Sequence, residues 1–126
     1  MSILPYLFSM LEILLGVLIG VILGTLSGII PGVHANTLAG VLLSLQALFL
    51  SVLGPVALAG TLFAALITHT FVDAVPSTFL GIPEADTSLS VLPAHANCLE
   101  GNGEETVRIA ALGGACAMVI YVPVSE

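Results

Sequence analysis

The chain has 126 residues, 58% of them hydrophobic and only 7% charged, with a mean hydropathy of +1.20. Soluble domains carry about 25% charged residues, so this composition excludes a soluble globular domain and specifies a polytopic membrane protein. The formal charge of −7 comes from eight acids against a single base, Arg108. The lack of a basic patch argues against nucleic acid and anionic lipid headgroups as partners, and with a single base the positive-inside rule assigns no orientation.

The N-terminus carries no Lys or Arg, and its apolar run outlasts a signal-peptide core, so it reads as retained membrane sequence. Residues 3–30 predict the first helix. Pro5 suits its first turn, where a missing N–H is harmless. Glu12 reads as an interfacial residue, the alternative being a buried acid facing the bundle. Within this helix Gly16, Gly20, Gly24 and Gly28 recur every fourth residue, and Gly32 continues the step beyond Pro31. Four residues is a little more than one turn, so the glycines form a bare stripe along which another helix can approach closely in lipid. The helix is expected to break at Pro31-Gly32, ahead of the polar patch His34, Asn36 and Thr37.

Asn36-Thr37 reads as an N-cap for a second helix over residues 37–53, with Gln46 facing protein as interhelical glue. Gly54-Pro55 ends that helix and starts a third over residues 55–72. This third helix turns polar at its end, through Thr68, His69 and Thr70 to Asp73.

Residues 73–106 do not read as an ordinary loop. Residues 74–83 and 87–99 are apolar yet too short to span, and Pro76, Pro83 and Pro93 punctuate them. Pieces of that length suit a re-entrant or interfacial segment, since irregular backbone at membrane depth must lie against protein or a water-filled cavity. The turn Pro83-Glu84-Ala85-Asp86-Thr87 is able to cap the second piece. Residues 99–106 read as a solvated turn, and residues 107–124 as a fourth helix ending at Ser125-Glu126. The expected fold is therefore all-α and integral to the membrane. It has about four transmembrane helices, with a broken or re-entrant segment between the third and fourth. A transport pathway needs a larger bundle, so the chain reads as the N-terminal part of a multi-pass cell-membrane permease or as an oligomer subunit.

Two proline breaks echo each other, Gly28-Ile-Ile-Pro31-Gly32 and Gly81-Ile-Pro83-Glu84, each with small and hydroxyl residues nearby. Paired broken helices are the pattern around a transporter's binding site. At these residues the chain resembles the TctA family, the large permease subunit of tripartite tricarboxylate transporters. Residues 24–37 are similar to the family's glycine-rich first motif. Residues 76–87 lie where it has its second, proline-centred motif, and residues 92–104 resemble the loop that follows. The likeness is greatest to the archaeal, stand-alone branch and runs from about residue 10 to 115. It implies a secondary-type permease core working with a small membrane subunit and an extracytoplasmic solute-binding protein, partners that the stand-alone branch is expected to do without. Val72-Asp73 stands where the family has Gly-Gly, and Glu84 where it has Gly. The added acids argue against a citrate-like solute.

A carrier binds a polar solute with helix N-termini, hydroxyls and amides. Pro31, Gly32, Asn36, Thr37, Ser77, Thr78, Thr87 and Ser88 have those chemistries beside the two breaks, and the competing reading makes them caps and turn formers only. His69 and Asp73, four residues apart, share a helical face and suit a coupling proton, or else an interfacial pair touching water. His34 and His95 have no metal-ligand spacing, and Cys98 and Cys116 read as packing residues, so no metal or cofactor is expected. Arg108 is expected to pair with Glu104 or Glu105. The function classes left open are a permease for a small organic anion of the carboxylate class and a non-transporting assembly subunit packing partners through its glycine stripe. The bilayer and the remaining permease helices, or a second copy, are the partners in either case. An intramembrane hydrolase would need a nucleophile–base or an Asp–Asp pair, and the only Asp pair, Asp73 with Asp86, lies in no recognisable motif.

Overall fold

A computed structural model describes residues 3–84 and 87–124, with side chains as far as residue 121. The expectations placed on Ala85, Asp86, Ser125 and Glu126, including an Asp73–Asp86 pair, lie outside the described residues. No strand occurs among the described residues, and the helices are α1 (Leu4–Ile29), α2 (Ala35–Ser44), α3 (Gln46–Leu50), α4 (Pro55–Val72), α5 (Ala74–Leu80), α6 (Val91–Asn97) and α7 (Gly103–Val124). They form two compact units, Met1–Val72 and Asp73–Glu126. Among the described residues two stretches, Leu4–Ile29 and Pro55–Leu80, are long and apolar enough to cross a bilayer.

In the first unit α1 lies along α4. Gly16, Gly20, Gly24 and Gly28 are buried, and a Cβ at each would meet the carbonyl oxygen of Ala57, Thr61, Ala65 and His69 in turn. Both helices advance four residues per contact in the same direction, so they run parallel over about 18 Å of helix. Parallel neighbours oblige the chain between them to return, and α2 with α3 provides about 24 Å of helix to do so. Small residues lie inside this pair and large ones outside: Ala65 is fully buried, whereas Leu18 is 57% exposed. Small-inside, large-outside packing suits a solvent that is itself apolar. The aliphatic core that exists is small, with Leu38, Leu42 and Ala65 at its centre and Leu23, Phe49 and Leu62 against it.

Several boundaries differ from those expected. The second helix is not one piece over residues 37–53. It begins at Ala35, breaks at Leu45 (φ −92°, ψ 6°) and ends at Leu50. The Ser44 hydroxyl donates back to the Gly40 carbonyl, a bond that bends helices, just before the break. Gln46, expected inside the bundle, is exposed. Asn36 and Thr37 do not cap α2. His34 holds the N-cap position with extended backbone, and both residues fall in the first turn. The fourth helix starts four residues early, at Gly103, so Glu104 and Glu105 lie in its first turn, where acids favour the helix dipole. Ahead of it, Cys98–Asn102 forms a wide turn through Gly101 (φ 92°).

The first proline break is a turn with a known geometry. Val33 donates to the Ile30 carbonyl at 3.3 Å, Pro31 occupies the second position and Gly32 the third with φ 85°. A positive φ at the third position marks a type II turn, which calls for glycine there. Glu12 is exposed, and its Oε2 comes 3.1 Å from where a Cβ on Gly54 would stand, beside the start of α4. A carboxylate at a helix N-terminus is favourable by about 0.3–1 kcal/mol.

Candidate functional site

The second unit holds the polar geometry. Asp73 sits at the N-cap position of α5, and its carbonyl accepts the Ser77 N–H at 3.2 Å and the Ser77 hydroxyl at 2.8 Å. Ser77 Oγ and Thr87 Oγ1 are 2.8 Å apart, and Thr87 Oγ1 also accepts the Glu84 N–H at 3.1 Å. A hydroxyl has one proton, and that of Ser77 is engaged by the Asp73 carbonyl, so Thr87 donates to Ser77. The result is a directed chain from the Glu84 N–H through Thr87 and Ser77 to the Asp73 carbonyl. It ties the segment after α5 back onto that helix. Thr87 also opens the turn that leads into α6, its carbonyl accepting the Ser90 and Val91 N–H groups at 2.9 Å each.

The segment between α5 and α6 is shaped by Gly81, which ends α5 in the left-handed conformation (φ 67°) with its N–H on the Ser77 carbonyl at 3.1 Å. A Cβ there would stand 2.9 Å from His95 Cδ2. The His95 ring is fixed in turn, since Nδ1 lies 3.0 Å from the Thr78 carbonyl, which can only accept and so assigns the proton to Nδ1. Gly81→Ala adds both a left-handed strain of about 1–2 kcal/mol and a clash with the ring. We expect it to lower the stability of the second unit by at least that strain, measured as faster amide exchange in α5 and α6.

A cleft of about 240 Å³ opens between α5, α6 and α7. Its polar lining is Ser77, Thr78, Thr87, Ser90, Asn97 and Thr106, with alanine, valine, isoleucine and proline side chains between them. Ser77, Thr78 and Thr87 thus come together as side chains of one cavity, and all three are buried. Ser88, beside them in sequence, is exposed and does not line the cleft. Ser90, Asn97 and Thr106 were missed by the sequence reading. The signal for them is helical periodicity: residues 74, 77 and 78, then 90, 94 and 97, then 106, 109 and 110 are each one helix face. Arg108 does not line the cleft. It is exposed and pairs with Glu104 at 2.6 Å, an exposed pair of small energetic weight.

The remaining expected site residues, Asp73 apart, lie in the first unit. Pro31, Gly32, Asn36 and Thr37 are exposed at the turn and the first turn of α2. His69 is buried, and its Nδ1 lies 2.9 Å from Ser27 Oγ of α1. Ser27 donates to the Gly24 carbonyl at 3.1 Å, which makes the imidazole the donor to Ser27 and leaves Nε2 as the basic nitrogen. The partner of His69 is therefore a hydroxyl on the glycine-bearing helix, held there by the same close approach that needs Gly24 and Gly28. Asp73 is buried at the start of the second unit. Among the described residues no group of three or more His, Cys, Asp or Glu side chains converges on a metal-sized site.

Compared with known proteins, 64 residues are 39% identical to an uncharacterized protein of Methanocaldococcus jannaschii, covering 51% of this chain and 16% of the relative. No solved structure matches. The broader likeness is to a membrane transporter family: residues 14–125 match the Tripartite tricarboxylate transporter TctA family, a span that takes in the glycine stripe, both proline breaks and the whole cleft. The chain belongs to the TctA family.

Proposed function

We propose that this chain is the N-terminal part of a secondary-type permease that moves a small organic anion of the carboxylate class across a cell membrane. The family match over residues 14–125 carries the reading, and the hydroxyl- and amide-lined cleft among apolar helices supports it. In this proposal the solute enters the second unit's cleft, whose lining includes Ser77, Thr78 and Thr87, and the Pro31-Gly32-Asn36-Thr37 turn of the first unit is a separate contact on its path. His69 and Asp73 handle a coupling proton, His69 offering a ring nitrogen and Asp73 a carboxylate. The rest of the permease bundle, and in the tripartite arrangement a small membrane subunit and an extracytoplasmic binding protein, are the proposed partners.

The assembly-subunit alternative needs the glycine stripe free to pack another chain. In the first unit that face is covered by α4 of the same chain, which favours the permease. The test is uptake of radiolabelled mono-, di- and tricarboxylates into proteoliposomes carrying the full-length permease. Asn36→Ala removes an exposed amide in the first turn of α2. It is expected to leave assembly intact and to lower uptake about tenfold, the loss of one hydrogen bond to a charged group. Unchanged uptake in Asn36→Ala would remove the first turn from the solute path, and no uptake of any carboxylate by the unmodified permease would refute the transport reading.

A further inference from the structure

Four of the six polar side chains in the cleft have their protons engaged. Ser77 donates to the Asp73 carbonyl, Thr87 to Ser77, Ser90 to the Thr87 carbonyl at 3.1 Å and Thr106 to the Asn102 carbonyl at 2.9 Å. Thr78 and Asn97 differ. Thr78 is only 2% exposed and lines the cleft, yet its hydroxyl makes no hydrogen bond to any described residue. No polar side-chain atom sealed from solvent lacks a partner among the described residues, so the Thr78 hydroxyl faces the cleft space itself. Asn97, on α6, is exposed, lines the same cleft and has an amide that bonds no described residue. A nearly buried hydroxyl left open to a cavity is unusual, because buried polar groups are otherwise paired.

Resting on the transport reading, we propose that Thr78 and Asn97 are the solute-contacting groups of this cleft, together holding a single carboxylate, while Ser77 and Thr87 are positioning residues. The donor inventory supports one carboxylate and no more. Thr78 offers one O–H and Asn97 two N–H donors, enough for the two oxygens of one carboxylate. The chain's one base is elsewhere, exposed and paired with Glu104. A second carboxylate brought into the cleft would find no further free donor among the described lining side chains. Recognition here is by neutral hydrogen bonds, so extra negative charge on the solute does not strengthen binding at this cleft.

The experiment is a titration of the isotope-labelled chain in detergent micelles, following the Asn97 side-chain amide resonance, assigned by its loss in Asn97→Ala. Acetate and citrate are the probes. Acetate is expected to give a saturable shift whose midpoint rises roughly tenfold to 100-fold in Thr78→Val and stays within about threefold in Thr78→Ser, which restores the hydroxyl. Citrate is expected to bind no more tightly than acetate. No saturable shift, an unchanged midpoint in Thr78→Val with native helicity, or citrate binding tenfold tighter than acetate would each overturn the proposal. If Thr78→Val loses its native helicity, Asn97→Asp decides instead, read from the backbone amides of residues 77 and 78. A carboxylate there must abolish acetate binding, and retained binding overturns the assignment. Failure of carboxylate uptake by the full-length permease, with the shift intact, would refute the transport reading and leave the cleft's ligand chemistry standing.

Discussion

Gly20→Leu is expected to destroy the folded first unit, lowering its stability by about 3 kcal/mol or more. An added Cβ at Gly20 would overlap the Thr61 carbonyl oxygen, with Ala64 Cβ at 2.9 Å and Ala65 N at 3.1 Å. The obstacles are mostly backbone, which cannot rotate aside as a flexible side chain would. Relief requires α1 and α4 to separate, which also pulls Ser27 from His69. The expectation is graded along the stripe. Gly28→Leu meets His69 O at 2.9 Å and Val72 Cβ at 3.0 Å, a looser fit, and should cost less. Gly40, with nothing within 4 Å of an added Cβ, should accept alanine and gain up to about 1 kcal/mol from lower backbone entropy in the unfolded chain. Equilibrium unfolding of helicity by SDS in mixed micelles ranks the three. A Gly20→Leu protein as stable as the unmodified chain would show that the close approach of α1 and α4 is dispensable.

Thr87→Val should loosen the second unit about as much as any single change to a polar residue there. Valine keeps the shape of threonine, so no cavity forms and packing is unchanged. What is lost is one oxygen with two partners: the buried Glu84 N–H loses its acceptor and Ser77 Oγ loses its donor. Leaving a buried group unsatisfied costs about 1–3 kcal/mol, so a local loss near 2 kcal/mol follows, equivalent to roughly 30-fold faster exchange of the Glu84 amide. Thr87→Ser, which keeps the oxygen, should stay within about 1 kcal/mol of the original. In the Ser77→Ala, Thr87→Val double variant the losses should be less than additive, because both remove the same bond. Additive losses would mean that the two hydroxyls act independently, contrary to the directed chain.

How far the site was legible in the sequence depended on the range of the interaction. Ser77, Thr78 and Thr87 stood out because they flank Pro83 and Gly81, and proline and glycine advertise a break locally. Their partners did not. Asn97 and Thr106 lie in segments whose local pattern says only helix or turn, and they reach the cleft because α6 and α7 pack on α5. The same limit explains the misplaced boundaries. The start of α7 at Gly103 runs against a segment of glycines and acids that reads as solvated turn, and the break at Leu45 lies inside an unbroken apolar run. His69 stood out as an ionisable group, read either as a proton carrier or as half of an interfacial pair, and its spacing to Asp73 pointed along its own helix, whereas it is buried and its hydroxyl partner is on α1, 42 residues earlier.

The sequence by itself determined the membrane class, the helical nature of the chain, the two proline breaks and the four-residue glycine step. Each follows from composition or from spacing within a turn or two of helix, where physics acts on near neighbours. Only the tertiary structure decided what the stripe faces, namely the carbonyls of Ala57, Thr61, Ala65 and His69 on a parallel helix of the same chain. Only it separated the hydroxyls engaged with protein from the one left open to the cleft. Donors and acceptors are paired in space, and no local pattern records which of them find a partner.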